Sequence, residues 1–125
     1  SAGFADVERT AQRIRTVLET ENYLMDPHTA VADAVYADYR QMSGDKRMTV
    51  IASTASPYKF PNTVTGAPAG RDGDDFALFE TIQSMSGRPV PDAVRDLSTR
   101  PILHDTVIDT ADIAETVVRL LHINA

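Results

Sequence analysis

The chain has no cysteine and no tryptophan, and only four tyrosines and four phenylalanines among 125 residues. Without thiols there can be no disulfide and no cysteine nucleophile, and the composition fits a reducing, cytoplasmic setting. Positive charge is scarce as well. A formal net charge of -6 argues against nucleic acid or an acidic membrane surface as the main partner. No apolar run approaches the roughly 20 residues that cross a bilayer, and Ser1, Ala2 and Gly3 do not open a signal peptide. The spacings of metal sites are missing, so no metal is expected. G-x-S-x-G does not occur, which removes the usual nucleophile elbow. Lys46 and Lys59 are the only lysines. Gly66, Gly70 and Gly73 alternate with proline and aspartate rather than forming a loop that cradles phosphate.

What is present is organised around residues 48–60, MTVIASTASPYKF. Met48 to Ala52 is short, apolar and β-rich, which predicts a strand buried on both faces. Ser53, Thr54, Ala55 and Ser56 follow, and then Pro57, which suits the first turn of a helix with Ser56 as its cap. In open α/β sheets a strand that ends in small polar residues before a helix is where ligands bind. Free N–H groups there favour an anion, and the hydroxyls can bond a heterocycle.

The remaining elements follow from periodicity and capping. Residues 6–22 read as an amphipathic helix capped by Asp6, with Val7, Ala11, Ile14 and Leu18 on one stripe. Arg9, Arg13 and Arg15 are assigned to its solvated side in preference to a phosphate. Asp26, Pro27, His28 and Thr29 read as cap, first-turn proline and helix start. That helix runs to about Gly44, burying Ala30, Val31, Ala34, Val35 and Met42 against a sheet. Gly66 ends a helix anchored by Phe60 and Val64, and residues 67–73 read as an exposed loop. Asp74 or Asp75 caps a helix carrying Phe76, Phe79, Ile82 and Met85, stopped by Gly87. A short helix over 91–97 puts Val94 and Leu97 inward. Ile102, Leu103, Val107 and Ile108 are expected in short strands around His104. Thr110 caps a final helix, about 110–122, whose Ile113, Val117, Leu120 and Leu121 form a wide apolar face. Left uncovered, that face would find cover by dimerisation or rearrangement.

Three stretches carry a resemblance. Residues 53–60, S-T-A-S-P-Y-K-F, are similar to the S-T-A-x-P-x-K-F motif near the C-terminus of threonine synthases. Residues 23–32, Y-L-M-D-P-H-T-A-V-A, resemble that family's Y-L-x-D-P-H-T-A-V-A segment. Residues 101–104, P-I-L-H, are similar to a stretch before its final helix. The resemblance is to the last part of that enzyme, so the chain looks like a C-terminal fragment.

The resemblance implies a fold: an α/β fragment over 1–125, with a small, partly parallel sheet packed by helices. It would complete the large domain of a pyridoxal-phosphate (PLP) enzyme of the tryptophan-synthase-β fold type. It also implies roles. A hydroxyl after the strand bonds the pyridine nitrogen of PLP, which falls on Thr54, with Ser53 beside it. Asp26, His28, Thr29, Ser56 and Lys59 become substrate-site candidates, and Ser56 stands where many relatives carry histidine. The whole enzyme would convert O-phospho-L-homoserine and water to L-threonine and phosphate. No lysine here resembles the one that holds PLP. The chain alone is therefore expected to contain no catalytic residue, to bind no PLP and to depend on the remainder of the same polypeptide. Two other readings stand beside this one: a non-catalytic α/β module binding a phosphorylated small molecule, and a dimerisation piece using the final helix.

Overall fold

The structure is a computed structural model that describes residues 2–66 and 75–122. It is built from helices. α1 (Val7–Glu21) begins where the Asp6 carboxylate accepts from the Arg9 N–H at 2.8 Å. It ends at Asn22, whose left-handed backbone, φ 53°, is one of the few a non-glycine residue tolerates. α2 (Pro27–Ser43) starts from Asp26 with Pro27 in its first turn, and stops at Gly44, φ 66°. These capping signals act over three or four residues, and the chain obeys them.

α1 packs along α2. Thr10 and Ile14 are buried on one side, Thr29, Ala30 and Ala34 on the other. The alanines expected to meet a sheet instead let the two helices approach. Two of the three arginines assigned to solvent tie the pair together. Arg9 Nη2 donates to Asp38 Oδ1 at 2.6 Å and to the Ala34 carbonyl at 3.1 Å, and Arg13 pairs with Asp33. Arg15 alone stays exposed. Val7 and Met42, both expected inside, lie at the outer ends of the pair and are exposed.

A second group of short helices closes over this pair. Ser56 accepts from the Tyr58 N–H at 3.3 Å and starts a single 3-10 turn, Pro57–Lys59. α3 (Pro61–Thr65) follows and ends at Gly66. A 3-10 turn, Asp75–Leu78, leads into α4 (Phe79–Ser86), which stops at Gly87. Asp75 does not cap this helix, because its carboxylate takes the Asn62 side-chain N–H at 2.6 Å. Asp74 and the expected loop at 67–73 lie outside the described residues.

The core is one cluster: Ile14, Leu24, Met25, Ala30, Tyr58, Val64, Phe79 and Ile82. Tyr58 meets Phe79 edge-on, ring centres 5.3 Å apart, and Phe76 meets Phe79 the same way at 5.5 Å. Such edge-to-face pairs add about 0.5–1.5 kcal/mol to area burial. Ile14 and Ile82 are almost wholly enclosed, each worth about 1.5–3 kcal/mol relative to exposure.

Beyond residue 90 packing thins. α5 (Asp92–Arg95) and a 3-10 turn, Leu97–Thr99, form in place of one helix; Val94 is partly buried but Leu97 is exposed. A 3-10 turn, Thr110–Asp112, leads into α6 (Ile113–Leu120), with no side-chain cap from Thr110. Thr116 is the buried residue of α6, while Ile113, Val117, Leu120 and Leu121 face solvent.

The expected sheet is absent among the described residues. Met48 to Ala52 forms no strand, with Met48 95% and Val50 87% exposed. Ile102, Leu103 and Val107 are likewise exposed and Ile108 partly so, without strand pairing. A strand is made by its ladder, and among the described residues no second strand lies opposite these segments to receive their N–H and C=O groups. Apolar β-rich composition reports fitness for a pleated, covered surface, not the presence of one. The fold of this chain is helical, not α/β.

Candidate functional site

The N-terminal end of α2 gathers four of the seven residues singled out by the sequence. At its centre is Asp26, whose side chain is shut off from solvent. Its Oδ1 accepts from the N–H of His28 at 2.9 Å and from that of Thr29 at 3.4 Å. Its Oδ2 takes the Thr29 hydroxyl in a short bond and lies 3.4 Å from Ser53 Oγ. Ser53 Oγ is also 3.1 Å from Thr29 Oγ1. Burial alone would push the Asp26 carboxyl up; the Thr29 hydroxyl, the two N–H groups and the His28 ring outweigh it and hold the group below its ordinary value.

His28 Nδ1 lies 3.2 Å from Asp26 Oδ1. A carboxylate can only accept, so Nδ1 carries a proton toward it. The ring rests on Phe60, centres 4.9 Å apart, and its side chain is 63% exposed. It lines a shallow apolar groove of about 410 Å³ with Val7, Pro27, Val31 and Thr63. An oriented imidazole on a groove can accept a proton at Nε2.

Thr54 stands next to Ser53 and is exposed. Ser56 and Lys59 do not join the cluster. Ser56 faces a smaller cleft of about 210 Å³ lined by Tyr23, Leu24, Tyr58, Ile82 and Arg88, and Lys59 is exposed on the 3-10 turn. That turn is too short to present a helix dipole, so the anion site expected at its start lacks its physical basis. His104 is exposed and outside both groups.

Two features went unseen in the sequence. One is the ring contact of Phe60 with His28. The other is the reach of Ser53 back to Asp26, 27 residues earlier, for which no local pattern exists. Among the described residues no group of three or more histidines, cysteines or carboxylates is placed to hold a metal, and no helix is long and apolar enough to cross a membrane.

Thr29, Ser53, Thr54, Ser56 and Lys59 all fall within residues 29–118, which match the family model described as threonine synthase, C-terminal. The chain belongs to that family. The match covers well over half of the sequence and spans α2 through most of α6. It begins just after Asp26 and His28, which the structure nonetheless ties to matched residues: Asp26 to Thr29 and Ser53, and His28 to Phe60.

Proposed function

We infer that this chain serves as the C-terminal part of a threonine synthase, the enzyme that turns O-phospho-L-homoserine and water into L-threonine and phosphate. Membership of the threonine synthase family implies PLP in the complete enzyme. The residues present suit one end of that cofactor. Thr54, with Ser53 beside it, offers a neutral hydroxyl where a pyridine nitrogen needs a hydrogen-bond donor, and the nearby carboxylate of Asp26 is buried and already engaged. The sequence supplies neither a lysine resembling the one that holds PLP nor a glycine-rich phosphate loop, so the rest of the cofactor's contacts fall to the remainder of the polypeptide.

PLP, when bound, supplies the electron sink that lets phosphate leave and water add. This chain's part is positional. Thr54 holds the ring nitrogen without the charge a carboxylate would bring, which keeps the ring a milder sink. His28 Nε2, oriented by Asp26 and backed by Phe60, holds or accepts a proton at the groove. Lys59 is an exposed cation available to a substrate phosphate. Thr29 and Ser56 shape the two ends of the S-T-A-S run.

The observation that carries this reading is an exposed Thr54 beside a Ser53 held in place, in a chain of this family. The test is Thr54→Val in the complete enzyme, with PLP retention followed by fluorescence titration. Losing one hydrogen bond of about 0.5–1.5 kcal/mol weakens retention about two- to tenfold, and Thr54→Ser restores it. Unchanged PLP retention in Thr54→Val overturns the assignment. For the chain alone, PLP gives no stable imine, and a stoichiometric, borohydride-trapped adduct on Lys59 overturns that expectation.

A further inference from the structure

Asp26 does more than cap α2. A cap needs one oxygen, and Oδ1 already serves the His28 and Thr29 N–H groups. Oδ2 takes the Thr29 hydroxyl and also lies 3.4 Å from Ser53 Oγ, on a segment that forms no ladder. The proton count fixes the direction of these bonds. Thr29 has one hydroxyl proton, and the charged Oδ2 takes it in the shorter, charge-assisted bond. With the Thr29 proton on Oδ2, a bond across the 3.1 Å between Thr29 Oγ1 and Ser53 Oγ uses the proton of Ser53, whose other inward acceptor is Oδ2 itself at 3.4 Å. Ser53 spends its only proton inward. Thr54, exposed beside it, keeps its own.

We propose that Asp26 is a positioning residue for the hydroxyl run: through Oδ2 and Thr29 it draws in the Ser53 proton, pins residue 53 against α2, and leaves Thr54 as the one hydroxyl of the pair able to donate outward. This rests on the assignment of Thr54 to the ring nitrogen, and it separates two residues that the sequence alone leaves equivalent. Ser53 is the anchor and Thr54 the contact. The anchor matters because residues 48–52, which lead into it, are mostly exposed and pair with no strand.

The test uses two variants of this chain and backbone amide relaxation by NMR. Asp26→Ser keeps a good capping oxygen for α2 but is too short to reach Ser53. Ser53→Ala leaves Asp26 and its cap untouched and removes only the cross-link. In the parent chain Ser53 and Thr54 have order parameters near 0.85, and in both variants these fall below about 0.6 while Ile14 and Ile82 keep theirs. Ser53→Thr, which retains the hydroxyl, restores them. Order parameters that stay high in Ser53→Ala overturn the proposal, as do low values in the parent chain. Should Asp26→Ser fail to fold, Ser53→Ala decides alone. PLP retention by the complete enzyme carrying Thr54→Val tests the underlying assignment separately. A fall in order without a loss of PLP retention sustains the anchor and removes the Thr54 contact, and the reverse result removes the anchor.

Discussion

Ile82 and Ile102 are the same side chain in opposite circumstances. Ile82 is fully enclosed by its neighbours in the core, whereas Ile102 is 83% exposed. The difference runs through the molecule. Among the described residues, 7–43, 57–66 and 75–94 hold helices that cover one another, while 48–52, 102–108 and the face of α6 hold similarly apolar side chains that are mostly exposed. Hydrophobicity does not bury a residue; a facing surface does. A helix satisfies its backbone within itself and needs a partner only for its side chains. An extended segment needs a partner for both.

The largest test of this contrast is Ile82→Ala. Removing an enclosed side chain in a small helical core costs about 2–5 kcal/mol, through lost transfer energy and the cavity left behind. Denaturant unfolding followed by circular dichroism reads it as a lower midpoint at unchanged slope. A loss under about 1 kcal/mol would mean that the enclosed half is as loosely packed as the open one.

Next comes the Asp26 cap. Asp26→Ala removes the acceptor for two N–H groups and the Thr29 hydroxyl together with the 3.4 Å contact to Ser53, and the cap alone is worth about 0.5–2 kcal/mol. Because the folded carboxyl is held below its ordinary value of 3.8, its contribution is complete above that pH and lost as pH falls through the folded value. Stability of the parent chain therefore drops on acidification more steeply than that of Asp26→Ala. Parallel curves for the two proteins would show that the cluster adds nothing to folding.

Smaller again is the tie between α1 and α2. A double-mutant cycle on Arg13 and Asp33, both partly exposed, gives a coupling of at most about 1 kcal/mol, shrinking as salt rises. A coupling unmoved by salt would point to packing by the arginine stem instead of charge.

These expectations show which parts of the molecule could be read from its letters. The limits of α1 and α2 were legible, because Asp6, Asp26, Pro27 and Gly44 act on backbone groups within a turn. So was the placing of Asp26, His28 and Thr29 together at one helix start. The sheet was misread because strand pairing is a relation between distant segments, and the likeness to a larger enzyme carried its sheet along with it. The link from Ser53 to Asp26 was illegible for the same reason: it is a contact across 27 residues with no repeating pattern to announce it. The arginines of α1 were half legible. Their partners Asp33 and Asp38 were present as complementary charge on the next helix, but only the packing of the two helices decides that they meet.

The smallest effect is the most informative about the open half. In this chain Ile102→Ser removes a side chain that is already in water, and stability should change by no more than about 0.5 kcal/mol. If the remainder of a threonine synthase covers the 102–108 segment, the same substitution in the complete enzyme uncovers a buried isoleucine and costs about 1.5–3 kcal/mol. The two measurements share one residue and one substitution, so their difference isolates the covering surface. Equal, small changes in both would leave Ile102 exposed in the whole enzyme too, and the open half would be a true surface. A large loss in this chain alone would mean that the segment packs against its own core after all, removing the contrast with Ile82.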